Sequence, residues 1–272
     1  MSMRTSVTGL NAAQTELSTI ANNIANAATT GFKASRVEFA DIFAADSTRV
    51  TPGAGVRVAG VTQMMKQGGL EFTGNNLDLA INGNGFFVMK DTNNQFAYTR
   101  SGNFRLSTDG TIVNAAGSKL QFFKPNTPPA TGFNETAGGL DSVKGNNPKT
   151  VGNDTFPLTR IEIDQMGVLR ASYADGTNAE LGKLAIATFS TPSNLAQQGE
   201  STWRSTLGSG EPAFAAPGVG DRGRIESGAL EGSNVDIAEQ LVEMITAQRN
   251  FQANAKSIST ADAIAQAIIN IR

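Results

Sequence analysis

The chain has 272 residues, 22 basic against 24 acidic, and a formal net charge of −2. Its length allows one or two domains with a buried core, and the near-balanced charge, with no Lys/Arg cluster, argues against nucleic acid or an anionic membrane as partner. Cys and His are both absent. This removes disulfides, thiol nucleophiles, His general bases and almost every transition-metal site, so no metal or cofactor is expected, and catalysis would have to use Ser, Thr, Asp, Glu, Lys, Arg or Tyr alone. With 39% hydrophobic residues and 29 glycines, the chain is rich in turns and has much surface relative to core. Residues 1–30 contain no apolar core of the kind that marks a cleavable signal peptide. No run approaches the roughly 18 apolar residues of a membrane span, so no membrane insertion is expected.

A first helix is predicted from about Ser6 to Ala28. Leu10, Leu17 and Ile24 fall at one heptad position, and Ala13, Ile20 and Ala27 at the other apolar one. The opposite face carries Asn11, Gln14, Ser18, Asn22 and Thr29, polar but uncharged. A solvated helix face usually carries Glu/Lys pairs, so this face suits burial against other protein. Asn22, Asn23 and Asn26 are unfavourable for helix propensity and suggest a packed polar surface. Gly31 reads as the helix stop, with Phe32 and Lys33 as its exit.

Residues 32–75 show no clear periodicity, and 51–60 reads as loop with a short extended piece. From Leu77 to Ala116 the pattern turns to strands. Phe86, Val88 and the run Phe96 to Thr99 flank a turn cluster at Asp91. Phe104 and Leu106 alternate before Asp109-Gly110 and Ile112, a strong hairpin signal. Ile161, Ile163, Gly167 and Leu169 repeat that spacing, and Leu184, Ile186 and Phe189 suggest another strand. Residues 124–157, rich in Pro, Gly and Asn, read as a long excursion. The closing helix is predicted to start near Asn234 or Val235, capped by Ser233 or Asn234, and to run almost to Arg272. Its stripe is Ile237, Leu241, Met244, Phe251, Ala255 and Ile258, with Gln248 a polar interruption.

No chemical constellation stands out. Gly176 to Lys183 has the wrong spacing for a phosphate loop, lacks its Ser/Thr, and fits two turns better. Gly83-Asn84-Gly85 reads as a turn or bulge. The sequons at Asn134 and Asn153 read as chance in an Asn-rich chain. A His-free hydrolase with helical flanks is the different-class alternative, and nothing in the residues favours it. The residues imply an α+β chain with an amphipathic helix at each end and a mainly-β centre. Each narrow stripe needs a partner, either the other end or another copy.

The segment ANNIANAATTGFK at 21–33 resembles the N-terminal signature of bacterial flagellar rod and hook proteins. QGGLEFTGNNLDLAI at 67–81 and YTRSGNFRLSTDGTIVNAAG after it resemble their shared β region, and the segment from Ser227 to Arg272 resembles their closing helix. GLNAAQTELSTIANNIANAATTGFK, EFADIF, AQRNFQANA and INIR look most like the hook protein, while the length is closer to the distal rod protein. The 124–160 region is too short for the extra outer domain of typical hook subunits.

The resemblance implies terminal helices paired as a coiled coil. It divides the chain into an inner domain of 1–30 with 234–272, connecting segments at 31–75 and 207–233, and a β domain at 76–206 with its excursion at 124–160. It implies a hook subunit of a helical tube that transmits torque, with a distal rod subunit of the basal body as alternative. The partners implied are further copies, rod, hook-cap and hook-filament junction proteins, and the flagellar type III export apparatus. The expected location is the hook and basal body region, reached without cleavage. Leu10, Leu17, Ile20, Ile24, Ile237, Leu241, Met244, Phe251 and Ile258 are the expected axial packing residues. Asn22, Asn23, Asn26, Gly31, Phe32 and Lys33 carry the family signature, with intersubunit hydrogen bonding expected of the three amides.

Overall fold

A computed structural model describes residues 3–42, 53–125, 132–134, 139–144, 149–151, 154–156 and 158–270. The chain divides into two compact units. One comprises residues 1–28, 33–64 and 235–272; the other comprises 29–32 and 65–234.

The first unit is built on two helices. Helix α1 spans Met3–Ala25 and helix α2 spans Ile237–Asn270. At 1.5 Å per residue these run to roughly 35 Å and roughly 50 Å. α1 closes in a tighter turn, where the Ala27 amide bonds the Ile24 carbonyl at 3.2 Å. α2 is capped by Asp236, not by Ser233 or Asn234. Asp236 Oδ1 accepts from the amides of Ala238 at 2.8 Å and Glu239 at 3.3 Å. These are two of the orphan donors every helix start leaves, and the carboxylate also suits the positive end of the helix dipole.

The helices lie antiparallel. A Cβ on Gly9 would meet Asn254 Oδ1 at 2.7 Å, and Asn23 Nδ2 donates to Gln240 Oε1 at 2.8 Å. Moving along α1 from 9 to 23 therefore moves back along α2 from 254 to 240. Small residues at the contact, Gly9, Ala12 and Ala13 on α1, permit the close approach. The longer α2 runs on past the start of α1.

Residues 32–75, aperiodic in the sequence reading, contain a two-stranded antiparallel ribbon, Ser35–Asp41 with Val56–Gln63. A register shift between Glu38 and Phe39 bends it. Its Val56 amide reaches Thr8 Oγ1 on α1 at 3.4 Å.

The second unit is almost entirely strand. A nine-stranded sheet contains Phe86–Lys90, Phe96–Thr99 and the hairpin Arg105–Leu106 with Ile112–Val113. A five-stranded sheet contains Leu158–Ile163, Val168–Tyr173 and Asn178–Leu184. The two hairpins matched by spacing thus lie in different sheets of one unit. Each turns at a glycine with positive φ, Gly110 at 77° and Gly167 at 76°, a conformation that a Cβ disfavours. The single strand expected near 184–189 is two, because Leu184 ends one strand and Ile186–Thr188 joins the other sheet. Gly176 sits in a turn, whereas Gly182 lies inside a strand against Val143 and Phe122. Asn153 lies outside the described residues, as does much of the 124–157 excursion. Its described parts include short strands at Leu140–Asp141, Lys149–Val151 and Asp154–Phe156.

The unit's core has two clusters. Leu79, Ile81, Phe87, Leu120, Phe122, Leu169, Leu184 and Ile225 are wholly buried in the first. The second gathers Phe86, Tyr98, Phe123 and Trp203. Phe87 and Phe104 meet edge to face at 5.2 Å between centroids, worth about 0.5–1.5 kcal/mol beyond area burial.

Candidate assembly surface

On α1, Ala12, Ala13, Ile20 and Asn23 are buried, and Leu10, Leu17 and Ile24 are half-buried. On α2, besides Ala255 and Ser257, the buried or half-buried positions are Gln240, Met244, Ala247, Phe251, Asn254, Ile258 and Ala261. Their spacing alternates four and three, so they form one continuous heptad stripe. Only Ala247 among them is fully buried.

Of the expected packing residues, Met244, Phe251 and Ile258 lie in this stripe. Ile237 and Leu241 do not: they are 51% and 48% exposed. Val242 and Ile245 are exposed beside them, and near the other end so are Ile264, Ile268 and Ile269, the last at 71%. A singly exposed apolar residue is ordinary, but seven on one helix make it the candidate assembly surface. Residues 262–270 are all exposed and form the stretch of α2 beyond the start of α1.

The signature amides divide. Asn22 is exposed, and Asn26 Nδ2 donates back to the Asn22 carbonyl at 2.9 Å. Asn23 is buried and fully engaged within its own chain. Its Nδ2 donates to the Ser35 carbonyl at 2.8 Å as well as to Gln240, and its Oδ1 accepts from the Ser35 amide at 2.9 Å. The side chain acts like a strand neighbour to Ser35, tying the ribbon to both helices. Intersubunit bonding, expected of all three amides, does not fit Asn23, because its donors and acceptor are already satisfied. The conformation at Gly31 has φ of 68°, and a Cβ there would lie 2.5 Å from the Ser101 amide nitrogen, so any other residue would clash. Phe32 and Lys33 are buried.

Two charged features escaped the sequence reading. Glu16 lies among Gly9, Ala13, Phe39, Val56 and Asn254 along a shallow groove of about 260 Å³. Burial, and then the nearby Glu243 carboxylate, push its carboxyl above the ordinary range. In the strand unit, Arg100 Nη1 pairs with Glu231 Oε2 at 2.9 Å, with side chains 5% and 0% exposed. Arg100 Nη2 also donates to the Gly83 carbonyl at 2.8 Å, and Glu231 Oε1 accepts from the Gly68 amide at 3.1 Å. The Glu231 carbonyl takes the Gly31 amide at 2.7 Å. This buried pair joins five segments of the unit, at Gly31, Gly68, Gly83, Arg100 and Glu231. A lone Arg and a lone Glu 131 positions apart give no local signal.

Among the described residues, no group of three or more Asp or Glu could hold a metal, and no helix is long and apolar enough to cross a membrane. What the first unit offers is surface: two terminal helices with apolar side chains left uncovered, the arrangement of a subunit.

Three family models match the chain in order. They are the flagella basal body rod protein over 3–33, the flagellar hook protein FlgE/F/G D1 domain over 80–171, and the flagellar basal body rod FlgEFG protein C-terminal region over 226–271. The chain is similar to the flagellar basal-body rod protein FlgG of Bacillus subtilis, 34% identical over 290 residues covering 100% of this chain and 98% of that one. It is similar to FlgG of Agrobacterium fabrum, 33% identical over 276 residues covering 96% and 95%. It is also similar to the flagellar hook protein FlgE of Salmonella typhimurium, 28% identical over 407 residues covering 100% of both. The chain belongs to the flagellar hook and basal body rod family, a family of structural components of the flagellum.

Proposed function

We propose that the chain is a hook subunit, polymerising helically into a flexible tube that transmits torque from rod to filament. The observation that carries this reading is the uncovered apolar set on α2. Ile237, Leu241, Val242 and Ile245 at one end, and Ile264, Ile268 and Ile269 at the other, have no cover within the chain's own helical unit. Assembly would extend the α1–α2 pairing into a coiled-coil layer shared between copies. A contact surface that differs from its counterpart generates an open helix where the rotation between copies does not close on itself. Residues 1–30 with 234–272 would form the inner layer, and the strand domain at 76–206 the outer one, with 31–75 and 207–233 connecting them. Leu10, Leu17 and Ile24, half-buried on α1, would complete their burial there.

Rod, hook-cap and hook-filament junction proteins are the proposed neighbours. Passage through the type III export apparatus to the hook and basal body region is the proposed route, with the helices ordering fully only on assembly. The hook reading is favoured over the rod by matched positions, since 28% of a 407-residue alignment exceeds 34% of a 290-residue one. Alignment length favours the distal rod, because the FlgG match needs few unmatched positions in a chain of 272. Negative-stain microscopy of polymerised protein separates the two. Curved tubes are expected for a hook and straight ones for a rod, and the absence of tubes at any concentration would reject both.

A further inference from the structure

The helical unit sorts its charges by face. Arg249 and Lys256 are the only cations of α2. Each lies two residues, or about 200° of helical turn, past a stripe residue, Ala247 and Asn254. They therefore point away from α1, seven residues apart, and both are exposed. Among the described residues neither has an ion pair or a side-chain hydrogen bond. The carboxylates gather on the other side. The antiparallel register that sets Gly9 at Asn254 and Asn23 at Gln240 sets Glu16 at Ala247, with Glu243 four residues before it and Asn250 three after. Glu243 is exposed, and its Oε2 accepts from Gln240 Nε2 at 2.8 Å. No cation among the described residues offsets the two carboxylates. What acts on Glu16 is burial and then Glu243 itself, and Arg57, next to the groove residue Val56, alternates to the ribbon's other face.

We propose that the Arg249 face of a second copy's α2 docks on this groove, with its guanidinium set between Glu16 and Glu243. Resting on the subunit reading, this contact names which two faces meet. A chain that keeps its carboxylates on one side of the helix pair and its cations on the opposite side complements a shifted copy of itself. The spacing agrees. A parallel neighbour with Arg249 beside Glu243 has Lys256 beside Asn250, because both pairs are seven residues apart, and the Asn250 amide oxygen accepts from an ammonium. A planar guanidinium fork suits two carboxylates better than a point-charge ammonium does, which assigns the Glu16–Glu243 end to Arg249. Gly9, Ala12, Ala13 and Ala253 line the groove with small side chains, so a helix can approach closely. Val242 and Ile245, exposed on the Arg249 face, would be covered in the same contact. Two different faces meet, so the contact propagates from copy to copy and does not end at a dimer.

The test is the concentration at which the full-length protein forms tubes, read by sedimentation and negative-stain microscopy. Arg249→Glu should raise it by about tenfold or more, and so should Glu243→Lys. Circular dichroism of both monomers should match the parent, because both sites are exposed. Arg249→Glu and Glu243→Lys combined in one chain should return to within about threefold of the parent, which a misfolded protein would not do. Tubes from Arg249→Glu at the parent's concentration, or no recovery in the combined variant, would overturn the contact and leave the subunit reading standing. Recovery of Glu243→Lys by Arg4→Glu in place of Arg249→Glu would name a different cation and overturn it equally. No tubes from the parent would reject the subunit reading and the contact together.

Discussion

In the strand unit, Phe87, Leu120, Phe122, Leu169 and Ile186 are entirely buried, while α2 in the helical unit buries a single residue, Ala247, and leaves seven large aliphatic side chains exposed. The strand unit buries most of its large apolar side chains, leaving Phe72, Met166, Leu207 and Val219 exposed, whereas the helical unit leaves many more uncovered. Each fully buried large apolar side chain contributes about 1.5–3 kcal/mol, so the uncovered residues of α2 represent stabilisation that a single chain does not collect. On the proposed reading, the contrast separates residues that make the subunit from residues that make the assembly.

The largest expected effect lies in the strand unit. Glu231→Ala leaves the Arg100 guanidinium buried without its anion and removes the acceptor for the Gly68 amide. Thermal denaturation should show a loss of about 3–5 kcal/mol; a loss below about 1 kcal/mol would mean the pair behaves like a surface one. Next comes Asn23→Ala, which orphans Ser35 and Gln240. It should lower stability by about 1–3 kcal/mol, with faster hydrogen exchange confined to the 35–63 ribbon and its helix contacts. Leu241→Asp, at an exposed site, should change monomer stability by less than about 0.5 kcal/mol yet block tube formation. Leu17→Asp should also block assembly while sparing the strand unit. Normal tubes from either variant would remove that residue from the assembly surface.

The smallest effect concerns Glu16. Its folded-state pKa is raised above 4.5, so the folded chain holds the proton longer than the unfolded chain. Stability should fall as pH rises from about 4.5 through the raised value, then level off. Glu16→Gln should flatten that slope in acid denaturant titrations and leave the strand unit's own transition unchanged.

Much of this was legible in the sequence where periodicity is strong. Both helices follow from spacing, as does the turn at Gly167 by its repeat of the Gly110 pattern, while the turn at Gly110 follows from Asp-Gly chemistry. The face α2 turns to α1 was not legible. Pattern reading selects the largest side chains, Ile237 and Leu241, whereas the close approach at Gly9 and Ala13 selects Gln240, Ala247 and Asn254. The ribbon escaped because its alternation, Val37 and Phe39 against Arg36 and Glu38, is short and broken by the shift at Glu38. The α2 cap was misplaced because Ser233, Asn234 and Asp236 are all competent caps, and only backbone direction decides among them. Arg100 with Glu231, and Glu16 with Glu243, are joined only by folding.

Hydrogen exchange on monomer and tube, read along α2, tests the central claim most directly. Residues 262–270 lie past α1, and a nine-residue helical end without a partner is marginal in water. Their amides should exchange quickly in the monomer and become strongly protected in the tube, together with those of 237–245. Full protection already in the monomer, or none gained in the tube, would contradict the account.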